Sequence, residues 1–188
     1  MNELSRCAWP KTALDIQYHD EEWGSPLHDD KRLFEFLILE GVQAGLSWST
    51  VLKRRSAYRE LYDNFDPIIV AGYNQQKVDE LLLNPRLIRN KLKINSSIKN
   101  AQAFLLVQKE FGTFANYLWS FVNGQPIINH WKTSQQVPSQ TELSSRLSQD
   151  LKLRGFNFVG PTICYALMQA TGLVNDHLIS CFRHSELK

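Results

Sequence analysis

The stretch SQTELSSRLSQDLKLRGFNFVGPTICYALMQATG, residues 139–172, reads as helix, tight turn, helix. Ser139 and Glu142 have the spacing of a capping box, in which a hydroxyl and a carboxylate three residues on satisfy each other's backbone donors. Leu143, Leu147 and Leu151 then recur on one face. Gly155 stands where a helix ends in the left-handed conformation, and Pro161 falls in the first turn of the next helix, where a missing N–H costs nothing. Ile163, Ala166, Leu167 and Ala170 carry the second apolar face to Gly172.

Upstream lies NGQPIINHWKTSQQVP, residues 123–138, with glycine, two prolines and little periodicity, the one clear internal loop or lobe boundary. Before it the pattern is helical. Asp29 and Asp30 cap a first helix with Leu33, Phe34, Leu37 and Ile38 inward, which reaches about Glu40 and stops over Gly41 to Gly45. Ser47 caps another, with Trp48, Val51, Leu52, Tyr58 and Leu61 inside and Lys53, Arg54 and Arg55 outside. Asp66-Pro67 starts a third. A short helix around Gln75 to Leu83 follows, then a longer one from about Arg89 to Phe111 with Leu92, Ile94, Ile98, Ala101, Phe104 and Leu105 mostly inward, and Phe114 to Val122 continues the pattern. No run of period-two strands stands out, so the predicted class is all-α, one domain over residues 1–188.

With 188 residues, 43% of them hydrophobic and 21% charged, the chain can build a core without covalent staples, and its composition excludes disordered, fibrous and repeat classes. No run of about eighteen apolar residues is present, and MNELSR at the start lacks the apolar core of a secretory signal, so a cytoplasmic protein without a membrane is expected. Three cysteines, Cys7, Cys164 and Cys181, are too few and too unbalanced for a disulfide framework. The net charge of +2 announces no nucleic-acid partner by itself. Its distribution says more: Arg86, Arg89, Lys91, Lys93, Lys99 and Lys109 share a segment without acids, whereas Asp15 to Asp30 holds acids and no base. A solvated helix face and a phosphate-facing one both fit that run.

Several groups suit chemistry. A turn bracketed by Gly155 and Gly160 can direct backbone N–H groups and a helix N-terminus at a phosphate, though the glycines alone also fit an ordinary helical corner. His177 and Cys181, four apart, would share one face of a helical turn and supply half a tetrahedral zinc site. Cys7 and His19 are the other Cys and His close in sequence; as a second half they would tie the two chain ends and fill all four positions, leaving no place for a reacting water. Scattered core or surface residues remain the competing reading, and Cys164, in an apolar helix, reads as core. Glu40 ends an apolar run before the glycine-punctuated segment to Trp48, as a carboxylate entering a pocket or as a solvated helix end. Tyr18, Trp23 and Trp48 could stack on a flat base or lie in the core.

Taken in order, Cys7-Ala-Trp9, Tyr18-His-Asp-Glu-Glu-Trp-Gly24, Leu39-Glu-Gly-Val-Gln-Ala-Gly-Leu-Ser-Trp48, Ile88-Arg-Asn90, Leu118-Trp-Ser-Phe-Val-Asn123, Arg154-Gly-Phe-Asn-Phe-Val-Gly160 and Gly172-Leu-Val-Asn-Asp-His177 closely resemble the bacterial 3-methyladenine DNA glycosylase I family, over nearly the whole chain. The resemblance implies a two-lobed helix-hairpin-helix glycosylase fold with a structural zinc on Cys7, His19, His177 and Cys181. It implies a base pocket of Glu40, Tyr18, Trp23 and Trp48, with Glu40 the catalytic group, and phosphate binding by the hairpin from Arg154 through Gly155 to Gly160. Asp15 falls where the family carries a tyrosine, which would remove one aromatic contact to the base.

The implied activity is excision of 3-methyladenine from alkylated double-stranded DNA by a monomer, after base flipping, with the free base and an abasic site as products. Thr162 stands where strand-cutting members of the wider superfamily carry a lysine, so no Schiff base is expected. Aligning on His177 puts Asn175 at that superfamily's catalytic aspartate, with Asp176 one residue away as a further candidate base. Leu46 would plug the vacated duplex space. Two alternatives stay open: a zinc-stabilised DNA-binding module without activity, against which a pocketed Glu40 would speak, and a glycosylase for another alkylated base, suggested by Asp15.

Overall fold

Polar side chains mark where the helices start. The computed structural model describes residues 4–187. Thr12 accepts a hydrogen bond from the Asp15 backbone N–H and donates its own N–H to the Asp15 carboxylate, opening α1 (Ala13–Glu21). The helix expected to be first is therefore second. Asp29 caps α2 (Asp30–Gln43), and Ser47 caps α3 (Trp48–Leu52). The chain then breaks and resumes as α4 (Arg55–Leu61). Asp66 caps α5 (Pro67–Ala71), Asn74 α6 (Gln75–Leu83), Asn90 α7 (Lys91–Phe111) and Thr113 α8 (Phe114–Ser120).

α9 (Glu142–Leu153) opens at Thr141, boxed with Ser144, and not at Ser139. The helix register decides this: Ser144 is fully buried beside the core-facing Leu147, whereas Glu142 points to solvent. Gly155, with φ of +94°, ends the turn of chain after α9 in the left-handed region, and Pro161 begins α10 (Pro161–Ala170) as expected. α11 (Phe182–Glu186) follows.

The protein is mostly helical, with one correction. Ile127–Ile128 (β1) pairs in parallel with Val174–Asn175 (β2), in the register Ile127 to Val174 and Ile128 to Asn175. Two residues are too few to show period two in sequence. Residues 123–138 are otherwise non-helical apart from one 3₁₀ turn, Ser134–Gln136.

At the centre lies α2, every residue of which is buried from Leu33 to Val42, as befits a helix apolar on nearly all sides. It packs on α3, α7, α8 and α10, while α9 packs on α10, and α5 and α6 on α7. Leu92, expected inward on α7, is 71% exposed, because it sits in the first turn on the side away from Ile94. No helix among the described residues is long and apolar enough to cross a membrane.

Candidate active site

The C-terminal end of α2 carries Glu40 into a cavity of about 390 Å³. Tyr18 and Trp23, from α1 and the residues just after it, and Trp48, first in α3, line the same cavity. All four predicted pocket residues thus meet. Trp9 joins them: its ring centroid lies 5.3 Å from that of Trp23 and 6.2 Å from that of Tyr18, which is 5.3 Å from Trp48. Sequence reading missed Trp9 as a pocket residue, although it closes the Cys7-Ala-Trp9 string, and also Gln43 and Gln169. Ser134, Val137 and Pro138, from the segment expected to be a mere boundary, complete part of the lining.

Within this cage two polar atoms are buried without a protein hydrogen-bond partner, Glu40 Oε2 and Trp48 Nε1. A buried polar group ordinarily finds a partner, so both atoms point to a ligand that donates to the carboxyl and accepts from the indole. Burial pushes the Glu40 carboxyl up to about 8. Burial likewise raises the Tyr18 phenol well above its ordinary range, with the nearby Glu40 second.

Behind the cage lies an ion network that reverses one expectation. Arg55, expected outside on α4, is 7% exposed: its Nε donates to Glu35 at 2.6 Å and its terminal nitrogens to Glu22 at 2.8 and 2.9 Å. Two carboxylates and the Phe36 ring, 5.1 Å from its guanidinium carbon, make its burial tolerable. Asp15 is likewise corrected, because it does not line the cavity. It belongs to the α1 capping box and accepts a 2.7 Å bond from Ser49 Oγ. Burial pushes its carboxyl up, but the bonds from Ser49 and Thr12 outweigh that and hold it below the usual range.

Cys7, His19, His177 and Cys181 also converge, all buried, with their donor atoms within 4.8 Å of one another. His177 and Cys181 do so on a non-helical turn, closed by Cys181 N–H to the Leu178 carbonyl at 2.7 Å, and not on the expected helix. His177 Nδ1 lies 3.7 Å from Cys7 Sγ and 3.5 Å from Cys181 Sγ, which is 3.5 Å from His19 Nε2. A tetrahedral ion with bonds of about 2.3 Å to sulfur and about 2.0 Å to nitrogen separates sulfur from nitrogen by about 3.5 Å, so these three pairs have a spacing that could hold a zinc ion. The outward nitrogens donate elsewhere, His19 Nδ1 to Asp20 at 2.7 Å and His177 Nε2 to the Trp23 carbonyl at 3.0 Å, which fixes both rings. Cys164 is a core residue, its thiol pushed up to about 12 by burial.

The turn between α9 and α10 is held from two sides. Asn100 of α7 accepts from Asn157 N–H at 2.7 Å and donates to the Asn157 carbonyl at 3.0 Å. Phe158, at φ of +55°, packs on α2, where a side chain on Gly41 would meet the Phe158 Cβ at 3.3 Å. Gly155 is exposed and Gly160 half-buried, whereas the Arg154 guanidinium is engaged by Asp150 at 2.6 Å and Glu110 at 2.7 Å. Of the basic run, Arg86 pairs with Glu60, and Lys93 Nζ donates at 2.7 Å to each of the Val42 and Ala44 carbonyls, capping α2. Arg89, Lys91, Lys99 and Lys109 are exposed. Leu46, 39% exposed, and Thr162, exposed on the first turn of α10, sit outside the cavity.

An aromatic cage closed by a partnerless carboxyl and a partnerless indole defines a helical protein built to receive a flat, hydrogen-bonding ring. The chain matches the family model for methyladenine glycosylases over residues 9–184. DNA-3-methyladenine glycosylase 1 of Escherichia coli (strain K12) is 48% identical over 179 residues, covering 95% of this chain and 96% of that protein. DNA-3-methyladenine glycosylase of Haemophilus influenzae is 47% identical over 178 residues, covering 94% and 96%. Among solved structures, a crystal structure of 3-methyladenine DNA glycosylase I superposes with a TM-score of 0.92 at 49% identity, covering 95% of this chain and 98% of that one. A Staphylococcus aureus 3-methyladenine DNA glycosylase I, solved to show how it recognises 3-methyladenine, gives 0.92 at 36% identity, covering 95% and 96%. The chain belongs to the methyladenine glycosylase family.

Proposed function

We propose that this chain is a DNA glycosylase that flips 3-methyladenine out of alkylated double-stranded DNA, hydrolyses its bond to deoxyribose and leaves an abasic site. The observation that carries the reading is the buried Glu40 carboxyl, without a partner, inside a cage of indole and phenol rings. The relatives act in its support. One solved relative carrying a tyrosine-to-phenylalanine change is in complex with 3-methyladenine, and another carries glutamine for a glutamate, the residue types that Tyr18 and Glu40 bring to this cavity.

3-Methyladenine linked to deoxyribose is a cation. Its C1′–N9 bond is weakened, and the electron pair left by that bond neutralises the departing ring, so no strong acid is needed. Water adds to C1′ and gives up one proton. Tyr18 and Trp48 contribute stacking and cation–π attraction of about 0.5–2 kcal/mol each. Glu40 accepts from the adenine amine, and its ionised form, disfavoured by burial, is favoured once a cation lies beside it. Guanine adducts exchange donor for acceptor at that edge and would leave buried groups unpaired.

The hairpin from Gly155 to Gly160 and the α10 N-terminus grip the DNA backbone, Leu46 fills the space left by the flipped nucleotide, and Thr162 offers no amine for strand cleavage. Two helical lobes, a monomeric state and a zinc on Cys7, His19, His177 and Cys181 belong to the same reading. Zinc there is structural, joining the chain ends, since four protein ligands leave no open position. Glu40→Ala is expected to lower excision by at least about a hundredfold while binding to a duplex containing an abasic site persists. Release of 3-methyladenine by that variant at the normal rate contradicts the reading.

A further inference from the structure

Asp176 lines the cavity, 2% exposed, with four donors aimed at its carboxylate. Oδ1 accepts from Asn129 Nδ2 and Trp131 Nε1, both at 2.7 Å. Oδ2 accepts from Tyr165 OH at 2.6 Å and Gln169 Nε2 at 2.8 Å. Tyr165 and Gln169 belong to α10; Asn129 and Trp131 belong to the segment after β1 that runs on to Ser134, Val137 and Pro138 in the cavity lining. A carboxylate has about four lone-pair sites, and protein donors occupy them all, so none is left to take a proton from water.

The same arrangement explains what Asp176 does instead. Residues 129–138 hold no helix beyond one 3₁₀ turn, and Lys132 to Gln136 are exposed. Backbone ties hold its first residues, Asn129 N–H to the Asn175 carbonyl at 3.1 Å, the His184 ring to the Asn129 carbonyl at 2.8 Å and Ile179 N–H to the Trp131 carbonyl at 3.0 Å, but without regular structure its side chains depend on anchors of their own to stand against a ligand. We propose that Asp176 is a positioning residue that pins the 129–138 wall to α10 and so sets the fit of the cavity around the base, taking no part in activating water. The inference rests on the cavity being the site for methylated adenine. Asn175, its neighbour, is committed to the C-terminal segment: Nδ2 donates to the His184 carbonyl at 3.2 Å and Oδ1 accepts from His177 N–H at 3.2 Å.

The test uses the full chain and three variants. Asp176→Asn alters the carboxylate itself. Trp131→Phe and Asn129→Ala each remove one donor from the wall side, leave Asp176 in place and carry the test if Asp176→Asn does not fold. Titration calorimetry with free 3-methyladenine, single-turnover excision at saturating enzyme and hydrogen exchange over 129–138 are measured for each. The expected result is that all three variants bind the free base about tenfold more weakly and exchange faster over 129–138. Their saturating excision rate stays within about threefold of the parent. The proposal is overturned if Asp176→Asn loses about a hundredfold or more in that rate while Trp131→Phe and Asn129→Ala match the parent. Unchanged base affinity and exchange in the wall variants overturn it equally. A parent protein that binds no 3-methyladenine sinks the functional reading instead, and the exchange data still decide the anchoring.

Discussion

Glu40 differs from the other buried carboxylates. Glu35 is paired by Arg55 and Arg59, and Asp176 takes four donors, but Glu40 has only burial acting on it, which pushes it up to about 8. The folded protein therefore holds a proton that the unfolded chain releases above about 4.5. Below that value both states are protonated and the group has no effect. As pH rises towards about 8, ionisation favours the unfolded chain and stability falls, by up to about 1.4 kcal/mol per pH unit. Glu40→Gln removes this dependence. It is expected to unfold at the same denaturant concentration as the parent near pH 4.5 and to be more stable by about 2–4 kcal/mol at pH 8.5, measured by urea titration; equal stability at both pH values would contradict the burial of an unpartnered acid.

Legibility at this scale followed residue chemistry. The end of an apolar run followed by a glycine-rich segment marked Glu40 as a carboxylate that could enter a pocket. Charge alone misled at Arg55, since the carboxylates that let it be buried come from Glu22 and Glu35, 33 and 20 residues away. Asp15 misled for a related reason: its capping role depends on helix α1, whose buried face of Asp15, Tyr18 and His19 is too polar to show as an amphipathic stripe.

At the scale of elements, α2 connects the cage to the hairpin. Glu40 faces the cavity, while the adjacent Gly41 lets Phe158 of the hairpin close on the helix. Helix α7 braces both sides, with Lys93 on the carbonyls that end α2 and Asn100 on the hairpin turn, seven residues or about two helical turns apart. Alanine in a helix interior ordinarily stabilises relative to glycine by about 0.5–1 kcal/mol. Gly41→Ala is expected to gain none of this, because its Cβ would press on Phe158, and to weaken affinity for duplex DNA while leaving affinity for the free base within about twofold of the parent. Fluorescence anisotropy with a duplex and calorimetry with the base separate the two; a more stable variant with intact DNA affinity would show that the contact carries no register.

Helix starts were legible where a capping side chain precedes an apolar stripe, as at Ser47 and Asp66, or where a proline opens the first turn, as at Pro161. The α9 start was misplaced by two residues because two hydroxyls compete and only packing chooses between them. The wall role of residues 129–138 left no periodic signal, since only Ser134, Val137 and Pro138 of it line the cavity while Lys132 to Gln136 are exposed.

Across the whole molecule, Cys7 and His19 near one end meet His177 and Cys181 near the other, and Cys7, Trp9 and Trp23 carry that junction into the cavity wall. His177 holds the Trp23 carbonyl while its ring lies 4.6 Å from the Trp23 ring. If zinc occupies the cluster, Cys181→Ser is expected to lose bound zinc by mass spectrometry of the native protein and to melt earlier. One zinc retained per chain would refute the ligand set.

The account stands or falls on what the cavity takes from DNA. Incubating the purified protein with methylated duplex DNA, then identifying the freed bases and examining the strands, tests it most directly. The account predicts neutral 3-methyladenine in solution, little 7-methylguanine, and strands that carry abasic sites but remain uncut. Release of guanine adducts at a comparable rate, or of no base at all, would contradict it.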